Sequence, residues 1–209
     1  MNPYVSRSLW ALGAVSSAMI ALVSYRYLLP SLSMPTNIAA NLMVRPWIYV
    51  HAGLAATALL TGPWQFLPRL RARHPRLHRW VGRVYIFCCV FGGSAGLLLA
   101  AGASAGPVAR AGFGLLAVVW LLVNGQGLRL AMIGRYAEHR QWMIRSFALT
   151  FGAVLLRVYI PISQMMHIDF MTAYRAISWL AWVPNLIVAE LYLRQPRWRK
   201  PLATAAARG

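Results

Sequence analysis

Residues 76–101 read RLHRWVGRVYIFCCVFGGSAGLLLAA. From Trp80 onward the only charge is Arg83, and the run of 22 residues is otherwise apolar or small. At about 1.5 Å per residue, a helix of that length crosses a hydrocarbon core of roughly 30 Å. Just before it stand Arg76, His78 and Arg79, the composition of a membrane–water boundary. The stretch is therefore read as a membrane span entered through a basic, histidine-bearing first turn.

The rest of the chain agrees with that reading. Of its 209 residues 59% are hydrophobic, and Glu138, Asp169 and Glu190 are the only three acids. Mean hydropathy is +0.54. A soluble domain of this length needs more polar surface. A net charge of +18 in a soluble chain would point to nucleic acid. Here the basic residues cluster between apolar runs, so the lipid bilayer and its anionic headgroups are the expected partners, and nucleic acid is not. With three acids, a carboxylate-rich metal site or a paired-carboxylate hydrolase is excluded. Cys88 and Cys89 are adjacent inside an apolar run and are read as small apolar residues.

Apolar runs predict six spans, at about 9–29, 46–67, 80–101, 109–131, 143–166 and 175–193. The expected fold is all-α: one integral membrane domain over 1–209, with spans two to five as a four-helix core and spans one and six at its edge. The first run is too long for a signal-peptide core and is read as a retained anchor. Residues 198–209 read as a disordered tail. One alternating set of connections carries sixteen of the 21 basic residues, most of them between Arg69 and Arg83, Arg129 and Arg145, and Arg194 and Arg208. The other set carries four: Arg26, Arg45, Arg110 and Arg175. The asymmetry predicts cytoplasmic N- and C-termini in a bacterial inner membrane. Gly92 and Gly96 in span three are expected to let another helix approach closely.

A repeat relates the two basic hairpins. Gln65 precedes His78 by 13 residues and Gln126 precedes His139 by the same 13, an offset of 61 that also aligns Gly53–Leu54 with Gly114–Leu115. Neutral imidazole is a common haem ligand, and helical bundles place such ligands on facing helices. His78 and His139 thus form a candidate inner pair of haem-iron ligands, with Arg79, Arg83 and Arg140 available to the propionates. His51 and His167 form a candidate outer pair. The same cluster is also what headgroup contact and interfacial anchoring produce. Arg157 stands about 14 Å from the outer end of span five. A charge at that depth is expected to face the bundle interior, a cavity or a partner. The alternatives for it are an anionic ligand beside His51 and the capping of carbonyls near Pro161.

Two stretches, HAGLAATALLTGPWQFLPRLRARHPRLHRWVGRVYI at 51–86 and EHRQWMIRSFALTFGAVLLRVYIP at 138–161, resemble the predicted membrane proteins catalogued as domain of unknown function 2306, DUF2306. The resemblance implies no activity. It does imply that His51, Gln65, His78, Arg79, Arg83, His139, Arg140, Trp142, Arg145 and Arg157 belong to one inner constellation.

Three functions are compatible with these residues. The first is a small transmembrane redox protein, holding haem b through His78 and His139 or working on a quinone with an external electron donor. The second is a transporter or ligand-binding protein with an outer cavity at His51 and Arg157. The third is a structural protein whose basic connections hold lipid. No G-x-G-x-x-G or P-loop is present, so redox chemistry would need an external partner.

Overall fold

The computed structural model describes residues 3–29, 45–195 and 198. Among them there is helix and turn and no strand. Helix α1 is Pro3–Ser24, continued by a 3-10 turn at Tyr25–Leu28. Helix α2 is Arg45–Thr61, followed by a 3-10 turn at Pro63–Phe66 and the short α3, Pro68–Arg73. Then come α4 (Pro75–Ala101), α5 (Pro107–Met132), α6 (Tyr136–Thr150), α7 (Gly152–Met165), α8 (Phe170–Leu180) and α9 (Val183–Leu193).

Among the described residues five stretches are long and apolar enough to cross a membrane: Ser8–Leu28, Pro75–Ala101, Pro107–Met132, Tyr136–Met165 and Phe170–Leu193. Large apolar side chains on them face outward, among them Leu12, Met19, Phe87, Leu122 and Val188. Such a belt is stable against lipid and costly against water. Helix α2, at 17 residues, is shorter than each of these five stretches. It stops because Pro63 has no N–H to continue the ladder, where hydropathy alone extends the span to 67. Helix α4 conversely begins five residues before the apolar run, since Pro75 at its first turn is preset for helix and the basic turn is helical too.

Spans five and six each contain an irregular turn, and the two turns touch. Pro184 cannot bond the carbonyl of Leu180, so span six breaks at Ala181 and Trp182. Span five tightens at Phe151, where a side chain on Gly152 would come within 3.0 Å of the Ala181 carbonyl oxygen. Asn185 Nδ2 donates to Ala181 O at 3.1 Å and to Ala148 O at 3.2 Å, so one amide serves carbonyls at both turns.

The main core joins Ala58 of α2, Tyr85 and Cys89 of α4, Trp120 and Val123 of α5, Leu149 of α6, and Trp182. Helix α1 packs on α2 and α7 through Ala21, Ala56, Leu59 and Val154. Inside the core lies a polar network. Tyr85 OH is 2.8 Å from Ser146 Oγ and 2.9 Å from Thr150 Oγ1. Ser146 Oγ donates to Asn124 Oδ1, Trp120 Nε1 donates to Thr150 Oγ1, and Asn124 Nδ2 donates to Trp120 O. In hydrocarbon these groups have no water, so they find each other and tie α4, α5 and α6 together. The tail residues 199–209 lie outside the described residues.

Candidate functional site

The basic end is built from three turns. Gln65 stands on the 3-10 turn that Pro63 forces after α2. Its Oε1 reaches α4 at Gly82, 3.3 Å from where a side chain would begin, so the missing Cβ makes room for the amide. Helix α3 then folds back, and Arg71 Nη1 donates to the Gln65 carbonyl at 3.3 Å. His78 is in the first turn of α4, within electrostatic range of Arg71, His139 and Arg79. His139, in the first turn of α6, donates from Nδ1 to the Gly127 carbonyl of α5 at 2.8 Å, which leaves Nε2 with its lone pair free.

Two atoms in this cluster, Gln65 Nε2 and His78 Nδ1, are buried without a hydrogen-bond partner. The charge around them is also unbalanced. Burial, and after it the neighbouring Arg140 guanidinium, pulls Arg71 below the ordinary arginine value. None of the chain's acids relieves it. Glu138 is held by Arg135 through two 2.6 Å bonds, so it balances local charge rather than orienting His139. Glu190 takes both its bonds from Arg145, which removes Arg145 from the cluster. Asp169 caps α8 by accepting from Thr172 N.

Gln65, His78, Arg79, His139 and Arg140 are therefore gathered at one end, together with Arg71, which the histidine-centred reading did not single out. Arg83 turns away and stacks over Trp80, 5.0 Å from its ring centre, as an interfacial anchor. Arg140 covers Trp198 at 4.7 Å.

The opposite end gathers His51 and Arg157. His51 donates from Nδ1 to the Gly92 carbonyl at 2.9 Å, and its ring fills the space that Gly96 leaves open. Arg157 on α7 is within electrostatic range of His51, and also of Tyr27, Arg26 and Tyr174. Its Nη1 donates to Ala153 O, one turn back, rather than towards Pro161. His167 is exposed on the turn after α7, with a φ of 55°.

Two grooves of about 230 and 420 Å³ flank α6 on the lipid-facing side, one against α1 at Trp10 and Gly13, the other against α9 at Asn185 and Val188. Both are lined by Ile144 and Phe147, and neither is lined by a candidate histidine.

The sequence model of the predicted membrane proteins called DUF2306 matches residues 48–193. The chain belongs to this family. The DUF2306 match runs from the first turn of α2 through α9, so it takes in His167 and the last span along with both clusters and leaves α1 outside. Comparison with curated proteins and with solved structures gave no match.

Proposed function

We propose that this DUF2306 protein binds anionic, phosphate-bearing lipid headgroups at its basic end. The observation that carries the reading is the pair of buried, unpartnered nitrogens, Gln65 Nε2 and His78 Nδ1, beside Arg71 with no acid at hand. An unpaired buried donor costs about 1–3 kcal/mol; a phosphate oxygen removes that cost at Gln65 Nε2, and at His78 Nδ1 in the tautomer that carries its proton there, while neutralising the arginines. The basic asymmetry supports a cytoplasmic, bacterial inner-membrane position for this end, where anionic lipid would lie within reach. His139 and Arg140 complete the rim.

The test is native mass spectrometry of protein taken from nanodiscs of mixed phosphatidylglycerol and phosphatidylcholine. Wild-type protein should retain phosphatidylglycerol preferentially. Gln65→Glu, nearly the same shape, places a carboxylate among the arginines and should abolish the preference. Equal retention by the two proteins would refute the site.

A second reading is favoured by one bond. The His139 Nδ1–Gly127 contact is the kind of hydrogen bond that orients a metal-bound imidazole, and it leaves Nε2 unengaged, so His139 and His78 would be the residues to hold a haem b iron. Such a protein would exchange electrons with a quinone or an external donor. Protein purified with haem supplied should then show a Soret band that His139→Ala removes, and a colourless protein sinks this reading.

A further inference from the structure

The three side-chain carboxylates of the chain are all accounted for, and none lies with Arg157. Glu138 is paired with Arg135 and Glu190 with Arg145. Asp169 is exposed and caps α8, and the charged and phenolic groups that act on Arg157 are Tyr27, Arg26, Tyr174 and His51 instead. The connection 30–44 contributes no acid in its sequence, PSLSMPTNIAANLMV. Arg157 is nevertheless eight residues from the end of α7 at Met165, about 12 Å along the helix axis. A guanidinium has five N–H groups in a flat fork, and among the described residues the structure gives it one hydrogen-bond acceptor, the carbonyl of Ala153.

We propose that Arg157, His51, Tyr27 and Tyr174 form a second anion site, at the end opposite the basic connections, which takes an oxyanion from outside the chain. The donor pattern narrows its chemistry. The arginine fork fits a phosphate or carboxylate through two parallel bonds. His51 has committed its Nδ1 proton to the Gly92 carbonyl, so its Nε2 accepts a hydrogen bond. The matching group is therefore an oxyanion with a hydroxyl beside it, as in a glycerophosphate. A free organic phosphate and the headgroup of a lipid in that leaflet share this chemistry. Gly96 contributes by having no side chain, because a Cβ there would stand 3.0 Å from His51 Nδ1 and push the ring out of its seat.

The test uses the full chain carrying Gln65→Glu, which disables the basic-end site, in phosphatidylcholine nanodiscs. Two probes are added separately: glycerol 3-phosphate, followed by calorimetry, and phosphatidylglycerol, followed by native mass spectrometry. At least one should bind, and Arg157→Gln should weaken it tenfold or more, with Arg157→Lys intermediate because a point charge remains. Binding of glycerol 3-phosphate alone identifies a free anion, and binding of phosphatidylglycerol alone identifies a headgroup. If Arg157→Gln fails to fold, the side-chain Nε–H resonance of Arg157, assigned with Arg157→Lys, must shift when a probe is added to the parent. Binding indifferent to Arg157, absence of binding by either probe, or an unmoved resonance would each overturn the proposal.

Discussion

The buried network around Tyr85 makes a quantitative demand on the stability of the bundle. Tyr85 OH lies between two hydroxyls, but the protons of both are committed: Ser146 donates to Asn124 Oδ1 and Thr150 donates to the Ser146 carbonyl. The phenol therefore has one proton for two acceptors. Tyr85→Phe removes one hydrogen bond, not two. Interhelical hydrogen bonds in membrane bundles average about 0.6 kcal/mol and reach about 1.7, since partners are also found in the unfolded chain within the membrane. Tyr85→Phe should thus cost about 0.6–1.7 kcal/mol in reversible unfolding from mixed micelles. Two double-mutant cycles, with Ser146→Ala and with Thr150→Val, divide that energy. One proton cannot serve both acceptors, so the two coupling energies together should stay within about 1.7 kcal/mol. Couplings both below about 0.3 kcal/mol, the ordinary error of additivity, would refute the assignment of a structural role to this network.

Three other outcomes follow from the geometry. Gly92→Val places a side chain 3.2 Å from Leu54 Cβ, and such overpacking should cost about 1–3 kcal/mol in the same unfolding assay. At Asp169, hydrogen bonds from Thr172, chiefly from its backbone N–H, hold the carboxyl below its ordinary value of 3.8. Its contribution is therefore present above that value and lost as pH falls through the lower, folded one. Asp169→Asn should flatten the dependence of melting temperature on pH below about 4, its cost appearing at neutral pH, where the native carboxylate is ionised, and vanishing in acid. Reporter fusions at Gly106 and after Gly209 should report opposite sides of the membrane, the latter cytoplasmic; matching sides would overturn the count of crossings between them, and an external reporter after Gly209 would reverse the orientation proposed for the basic end.

The all-helical class and the rough position of five of the six expected spans could be read from apolar runs, because hydrocarbon thickness dictates their length. What the runs could not show was where polar but helical turns extend a span, as at Pro75–Arg79, or where a proline breaks one. Pro184 was visible in the sequence, and a proline rule applied inside span six would have placed the break. Clustering of Gln65, His78, His139 and Arg140 was legible as a repeated spacing near basic turns. Arg71 was hidden because only the fold-back of α3 brings it to Gln65. The network of Tyr85, Trp120, Ser146 and Thr150 left a weaker trace. Ser146 and Thr150 are one helical turn apart, as are Trp120 and Asn124, so polar residues at that spacing inside apolar runs were the available signal. Which helices those stripes face is tertiary information.

In the proposed site a lipid phosphate sits against Gln65 and His78. Solid-state NMR can measure it directly, as dipolar dephasing of side-chain ¹⁵N in Gln65 and His78 by ³¹P of phosphatidylglycerol in proteoliposomes. Both nitrogens should dephase to the extent that contact at hydrogen-bond distance requires, and Gln65→Glu should abolish the dephasing at His78. Undephased nitrogens in wild-type protein saturated with phosphatidylglycerol would contradict it.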